Sequence, residues 1–182
     1  MEQNEIIRRI KGGDQVAFAN VYESHAVQVY NTIHRLVNHT GEAEDIMQEC
    51  FITVYNSIGK FEQRSSLSTW INRIAINQSI DALRRRKAKF VEPDDRLAES
   101  DDDSVDEAEH EMKVEDVKKA IMDLPDGYRT ITSLYLLDGI PQAEIAVILD
   151  ISHSTVRTQY KKAKDQIRKS LAMQYDINPN PK

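Results

Sequence analysis

Residues 140–167 read IPQAEIAVILDISHSTVRTQYKKAKDQI, and their spacing predicts a short helix, a tight turn and a longer basic helix. Pro141 can open the first helix, because a first turn has no use for the N–H it lacks. Ile145, Ile148 and Leu149 then share one face, and Ala146 is small enough for a second helix to cross closely. Asp150 stands at the turn, where it tolerates a left-handed backbone better than most residues. Ser152 can cap the second helix by accepting a hydrogen bond from a free N–H of its first turn. Within that helix Val156, Tyr160, Ala163 and Ile167 recur at helical spacing and form an apolar stripe. Arg157, Lys161, Lys164 and Arg168 repeat the pattern one residue later, about 100° around the helix. One flank packs and its neighbour is cationic, the division a helix needs to sit in a major groove.

The whole composition is that of a helical protein: 40% of 182 residues are hydrophobic, with only 6 glycines and 5 prolines. There is no apolar run long enough to span a bilayer, and MEQNEIIRRIKGGD at the N-terminus lacks the apolar core of a signal peptide. A cytoplasmic protein without membrane insertion is expected. Cys50, the single cysteine, excludes internal disulfides and cysteine-based zinc clusters, and its place in an apolar helical stripe reads as core. No cofactor or metal site is expected, since His25, His34, His39, His110 and His153 show no ligand spacing. Neither a glycine-rich phosphate loop nor a nucleophile motif occurs, so the chain does not read as an enzyme.

A net charge of −6 is unexpected for a DNA-binding chain until it is divided. Residues 1–90 carry +2, residues 117–182 carry +3, and residues 91–116 hold 13 acidic side chains against 2 basic ones. That interval, VEPDDRLAESDDDSVDEAEHEMKVED, has too little apolar content for a core and reads as a flexible linker. Its composition leaves open whether it is a solvated spacer or an imitation of nucleic-acid charge. The fold expected is therefore all-α, two small helical domains joined by an acidic linker. The boundaries read 1–90, a linker 91–112, a four-helix domain 113–173 with the helix-turn-helix, and a disordered tail 174–182.

In the first domain three helical patterns succeed one another from Asp14 to Lys89. The first, about 14–37, repeats Phe18, Val21, Tyr22, His25, Val29 and Ile33, and Gly41 then breaks the pattern. The second, about 42–58, buries Ile46, Met47, Cys50, Phe51, Val54, Tyr55 and Ile58. Its other side presents Asp45, Gln48, Glu49, Thr53 and Asn56, by default a solvated face. A polar loop bracketed by Phe61 and Trp70 leads to the third helix, which Ser66 or Ser68 can cap. That helix ends in Arg84, Arg85, Arg86, Lys87 and Lys89, more cations than a helix dipole needs and so a candidate phosphate-contacting surface.

Taken in order, AEDIMQECFITVY, STWINRIAINQSIDALRRRK, the acidic interval, LPDGYRTITSLYLLDGIP and EIAVILDISHSTVRTQYKKAK resemble the extracytoplasmic-function group of bacterial sigma factors over nearly residues 10–172. The resemblance implies a subunit that binds core RNA polymerase and directs it to promoters, the first domain reading and melting the −10 element and the second reading the −35 element. By that similarity Asp45, Gln48, Glu49 and Thr53 dock on a coiled coil of the polymerase's largest subunit, and the polar face gains a partner. Phe61, Arg64, Ser65, Ser66, Trp70, Arg73, Asn77, Arg84 and Arg85 fall to the −10 side, with the loop Gln63 to Ser66 matching the segment that holds an unstacked base and Arg86 grouped with the duplex-facing arginines. Ser154, Thr155, Arg157, Thr158, Lys161 and Lys162 fall to the −35 side. The linker position favours the mimicry reading. An anti-sigma protein is a further partner the family implies.

The chain departs from the family at Gln159, where many relatives carry Arg, at Tyr160 in place of a smaller aliphatic residue, and at Asp150 in place of Gly. The rival reading is a stand-alone helix-turn-helix regulator. Such proteins usually dimerise to space two recognition helices, and no heptad or dimer helix is found here, which predicts a monomer when free.

Overall fold

The structure, a computed structural model, describes residues 3–89 and 114–174, which form two compact units divided between Lys89 and Phe90. The expected linker 91–112 and tail 174–182 lie outside the described residues, apart from Gln174, which ends the last helix.

In the first unit α1 (Gln3–Lys11) leads into α2 (Gln15–Val37), α3 (Thr40–Ser57), a 3₁₀ turn (Ile58–Lys60) and α4 (Leu67–Lys89). The apolar periodicity explains the packing: α2, α3 and α4 meet pairwise around Ile33, Cys50, Val54, Ile71 and Ala75, all fully buried. Cys50 is thus core, and burial pushes its thiol pKa up to about 12. The α1 helix is additional to the three that the sequence pattern predicts. It packs on α2 and the 3₁₀ turn and buries Ile7 and Ile10.

The junctions are capped by side chains. Asp14 accepts a hydrogen bond from the Ala17 N–H at 3.0 Å and an ion pair from Arg9 at 2.7 Å. The Ala17 N–H, with Arg9 second, holds the Asp14 carboxyl below its ordinary pKa. The α2–α3 break falls at Asn38, left-handed with φ 52°, and at His39, whose Nδ1 accepts from the Glu42 N–H at 3.2 Å. Gly41 therefore does not break the pattern as expected, but lies inside the first turn of α3. A capped junction at 38–39 satisfies the free N–H groups that a break at Gly41 would leave open.

The second unit holds α5 (Val114–Met122), α6 (Asp126–Thr132), a π turn (Ser133–Leu137), α7 (Gln142–Leu149) and α8 (His153–Gln174). α8 is the spine, packing on α5, α6 and α7. Its buried side chains Val156, Ala163, Ile167 and Leu171 follow the predicted stripe. Arg129 is 2% exposed, donating to the Leu124 carbonyl at 2.8 Å and pairing with Asp126 at 2.6 Å. It ties the start of α6 to the end of α5.

Candidate polymerase and nucleic-acid interfaces

On α3 the core side and the polar side are cleanly divided. Asp45, Gln48 and Glu49 are exposed, opposite Ala43, Cys50 and Val54, which are buried to 0% exposure. Thr53 is half-buried, its hydroxyl donating to the Glu49 carbonyl at 2.8 Å and accepting from Gln78 Nε2 at 2.9 Å, so it joins the face to α4. Ile52, which the polar pattern does not single out, is 61% exposed in the midst of these groups. Its signal lies in the helical spacing from Gln48, Glu49 and Asn56.

The loop before α4 rests on Phe61, buried to 7% exposure with its ring 4.9 Å from that of half-buried Trp70. Phe61 is closed off from solvent and supports the loop from beneath. Gln63 holds a left-handed φ of 58°, and Arg64 pairs with Glu62 at 2.8 Å in full exposure. Ser66 is the cap: its Oγ accepts from the Thr69 N–H at 3.1 Å. Ser65 is half-buried and donates to the Ser66 carbonyl at 3.3 Å.

Along α4, Arg73 and Asn77 are exposed one turn apart, and Arg84 and Arg85 are exposed near its end. Arg86 is different and corrects the sequence reading. Its guanidinium donates to the Val37 carbonyl at 3.2 Å and pairs with Glu42. The end of α2 offers carbonyls without an intrahelical partner and the start of α3 an acidic side chain, so Arg86 binds those helices together rather than facing a duplex.

In the second unit the helix-turn-helix forms as its residues dictate. Asp150 takes φ 56° and ψ 49°, and Ser152 Oγ accepts from the Thr155 N–H at 3.0 Å. α7 begins at Gln142, with Pro141 just outside as its cap, one residue later than predicted. Arg157 and Ser154 are exposed, while Thr155, Thr158, Lys161 and Lys162 are half-buried along the same helix. Lys164, half-buried like Lys161 and Lys162, has its ammonium over the Tyr160 ring at 5.4 Å. Burial raises the Tyr160 phenol pKa, with Tyr135 adding to the rise. Among the described residues no group of His, Cys, Asp and Glu could hold a metal, and no helix is long and apolar enough to cross a membrane.

Known proteins match most of this chain. Residues 21–89 match the family Sigma-70 region 2, and residues 115–167 match Sigma-70, region 4. The ECF RNA polymerase sigma factor SigW of Bacillus subtilis is 33% identical over 177 residues, covering 91% of this chain and 94% of that one. The RNA polymerase sigma-H factor of Pseudomonas aeruginosa is 28% identical, with 93% and 94% covered. Two solved structures share the fold. CnrH, in complex with the cytosolic domain of CnrY, has a TM-score of 0.53 at 18% identity, covering 92% of this chain and 96% of that one. RpoE of Bartonella quintana, in complex with the anti-sigma factor NepR, has a TM-score of 0.55 at 21% identity, with 85% and 96% covered. With both regions in order, and SigW similar over almost its full length, the chain belongs to the extracytoplasmic-function group of the sigma-70 family.

Proposed function

We propose that this sigma factor directs core RNA polymerase to promoters by applying three separate surfaces, each carried on a helix whose other side is packed away. It acts in the cytoplasm and catalyses no reaction of its own. The observation that carries the reading is the polar face of α3: Asp45, Gln48 and Glu49 stay in solvent on a helix whose opposite side, Ala43, Ile46, Cys50 and Val54, is buried in the core. A partner with a basic, partly apolar helical surface suits it, which is the role of the polymerase coiled coil.

The loop 61–66 and the exposed face of α4 meet the −10 element. Unpairing a base costs a few kcal/mol, which capture in a loop and stacking on an aromatic surface can offset. Arg64, Ser66, Arg73 and Asn77 are exposed in this region, and Ser65 and Trp70 are half-buried at its edge. Arg84 and Arg85 add phosphate contacts at the helix end. The Ser154, Thr155, Arg157, Thr158, Lys161 and Lys162 side chains of α8 meet the −35 element in the major groove. The relatives CnrH and RpoE are each solved with a bound partner. RpoE's partner is the anti-sigma factor NepR, and an anti-sigma protein is a further partner in this reading.

Replacing Asp45, Gln48 and Glu49 together by Ala tests the reading. We expect affinity for core polymerase to fall at least about tenfold with the thermal midpoint unchanged, because exposed polar side chains contribute little to folding. Unchanged affinity would show that the docking face lies elsewhere.

A further inference from the structure

Gln159 and Tyr160, the two positions of α8 that depart from the family pattern, are both half-buried and each touches another element of the unit. Gln159 Oε1 lies 3.3 Å from where a Cβ on Gly127 would stand, so it packs on the first turn of α6. Tyr160 occupies the apolar stripe between Val156 and Ala163, but it is only half-buried where those two are completely buried. Its ring extends past the core to Tyr135, with centroids 4.9 Å apart at 72°, an edge-to-face pair. Lys164 lies over the same ring. The part of α8 bearing Arg157, Thr158, Lys161 and Lys162 is therefore seated on its inner side by an aromatic contact.

Tyr135 reaches that contact because α6 does not continue as an α-helix. Residues Ser133–Leu137 form a π turn, with Asp138 N–H donating to the Ser133 carbonyl at 3.1 Å. One extra residue in a turn rotates the chain beyond it by about 100° relative to an α-helix. Leu134, buried to 0% exposure, anchors the turn in the core, and Tyr135 beside it is 37% exposed. The Tyr135–Tyr160 pair adds a packing contact between this turn and α8.

We propose that Tyr160, braced by Tyr135, is a positioning residue that sets the rotation of the recognition helix and so the alignment of Arg157 and Lys161 with the upstream promoter element. The inference rests on the −35 role of α8 proposed above. A smaller aliphatic side chain at 160 would not span to Tyr135, and the helix would lose one side of its seat.

The test is transcription by holoenzyme from a promoter located by start-site mapping, with its upstream element intact or scrambled, using Tyr160→Leu, Tyr160→Phe, Tyr135→Ala and Arg157→Ala, with each variant's thermal midpoint recorded. Expected is a loss of about tenfold on the intact promoter for Tyr160→Leu and Tyr135→Ala, the scale of one misaligned base contact. The scrambled promoter should respond equally to both variants and wild type, and Tyr160→Phe, which keeps the ring, should behave as wild type. The proposal is overturned if Tyr160→Leu and Tyr135→Ala keep full dependence on the upstream element, or lose activity equally on both promoters. If Arg157→Ala also leaves that dependence intact, the −35 role of α8 fails with it; if Arg157→Ala abolishes the dependence while the tyrosine variants do not, only the brace is wrong.

Discussion

His39 caps α3 from a position that Ser, Thr, Asp or Asn fills in most helices. Its Nδ1 accepts from the Glu42 N–H at 3.2 Å, and a better cap is available. His39→Asn should raise stability by about 0.5–1 kcal/mol, read as a shift of the urea midpoint with unchanged slope. Arg129 predicts the opposite sign. Removing its guanidinium strands the Leu124 carbonyl and unpairs Asp126, so Arg129→Ala should cost about 2 kcal/mol. Circular dichroism melts of the two variants check both. Cys50 gives a pH dependence. Its folded pKa is raised from 9.0 to about 12, so the unfolded chain loses the proton first and stability falls as pH rises from about 9 toward 12. Cys50→Ala should be less stable at pH 7 because of the cavity, yet lose less on going from pH 8 to pH 10 in urea titrations.

At the scale of elements the end of α4 separates two kinds of arginine. Arg84 and Arg85 are exposed, and each replacement by Ala should leave the melting midpoint nearly unchanged while reducing the salt slope of holoenzyme–promoter binding by about one. Arg86→Ala should destabilise the first unit by about 1 kcal/mol, because its anchor on Val37 and Glu42 is lost. Sequence could not distinguish the three, since the partners of Arg86 lie 49 and 44 residues away. The helix-turn-helix was legible for the contrary reason. The left-handed Asp150, the Ser152 cap and the Val156 to Ile167 stripe are all decided within a few residues of themselves. His39 escapes a reading by pattern because imidazole is a rare cap, and the π turn because nothing in SLYLL departs from helical periodicity before packing acts on it. For the candidate sites, periodicity distinguishes the faces but not the depth of each side chain, so Phe61 lies farther from solvent than expected.

For the whole molecule, charge is distributed so that the halves bearing the proposed DNA-facing helices are mildly basic and the acidity lies in residues 91–116. Isolated protein should therefore hold duplex DNA weakly, and specificity should appear only when polymerase lets both units act together. Within the proposed docking face Ile52 is an exposed apolar side chain among polar ones, the composition from which a contact hot spot is built once a partner covers it. Ile52→Glu should weaken core binding by about thirtyfold or more, measured by fluorescence anisotropy, while leaving the fold intact. Promoter direction itself is read by transcribing the organism's own DNA with core polymerase, with and without this protein, and mapping every start site. A sigma factor of this kind should add a set of start sites that appear only in its presence and share two upstream motifs, near −35 and −10. Identical start sites with and without it, or no common motif among the added ones, would mean that the protein does not direct polymerase to promoters.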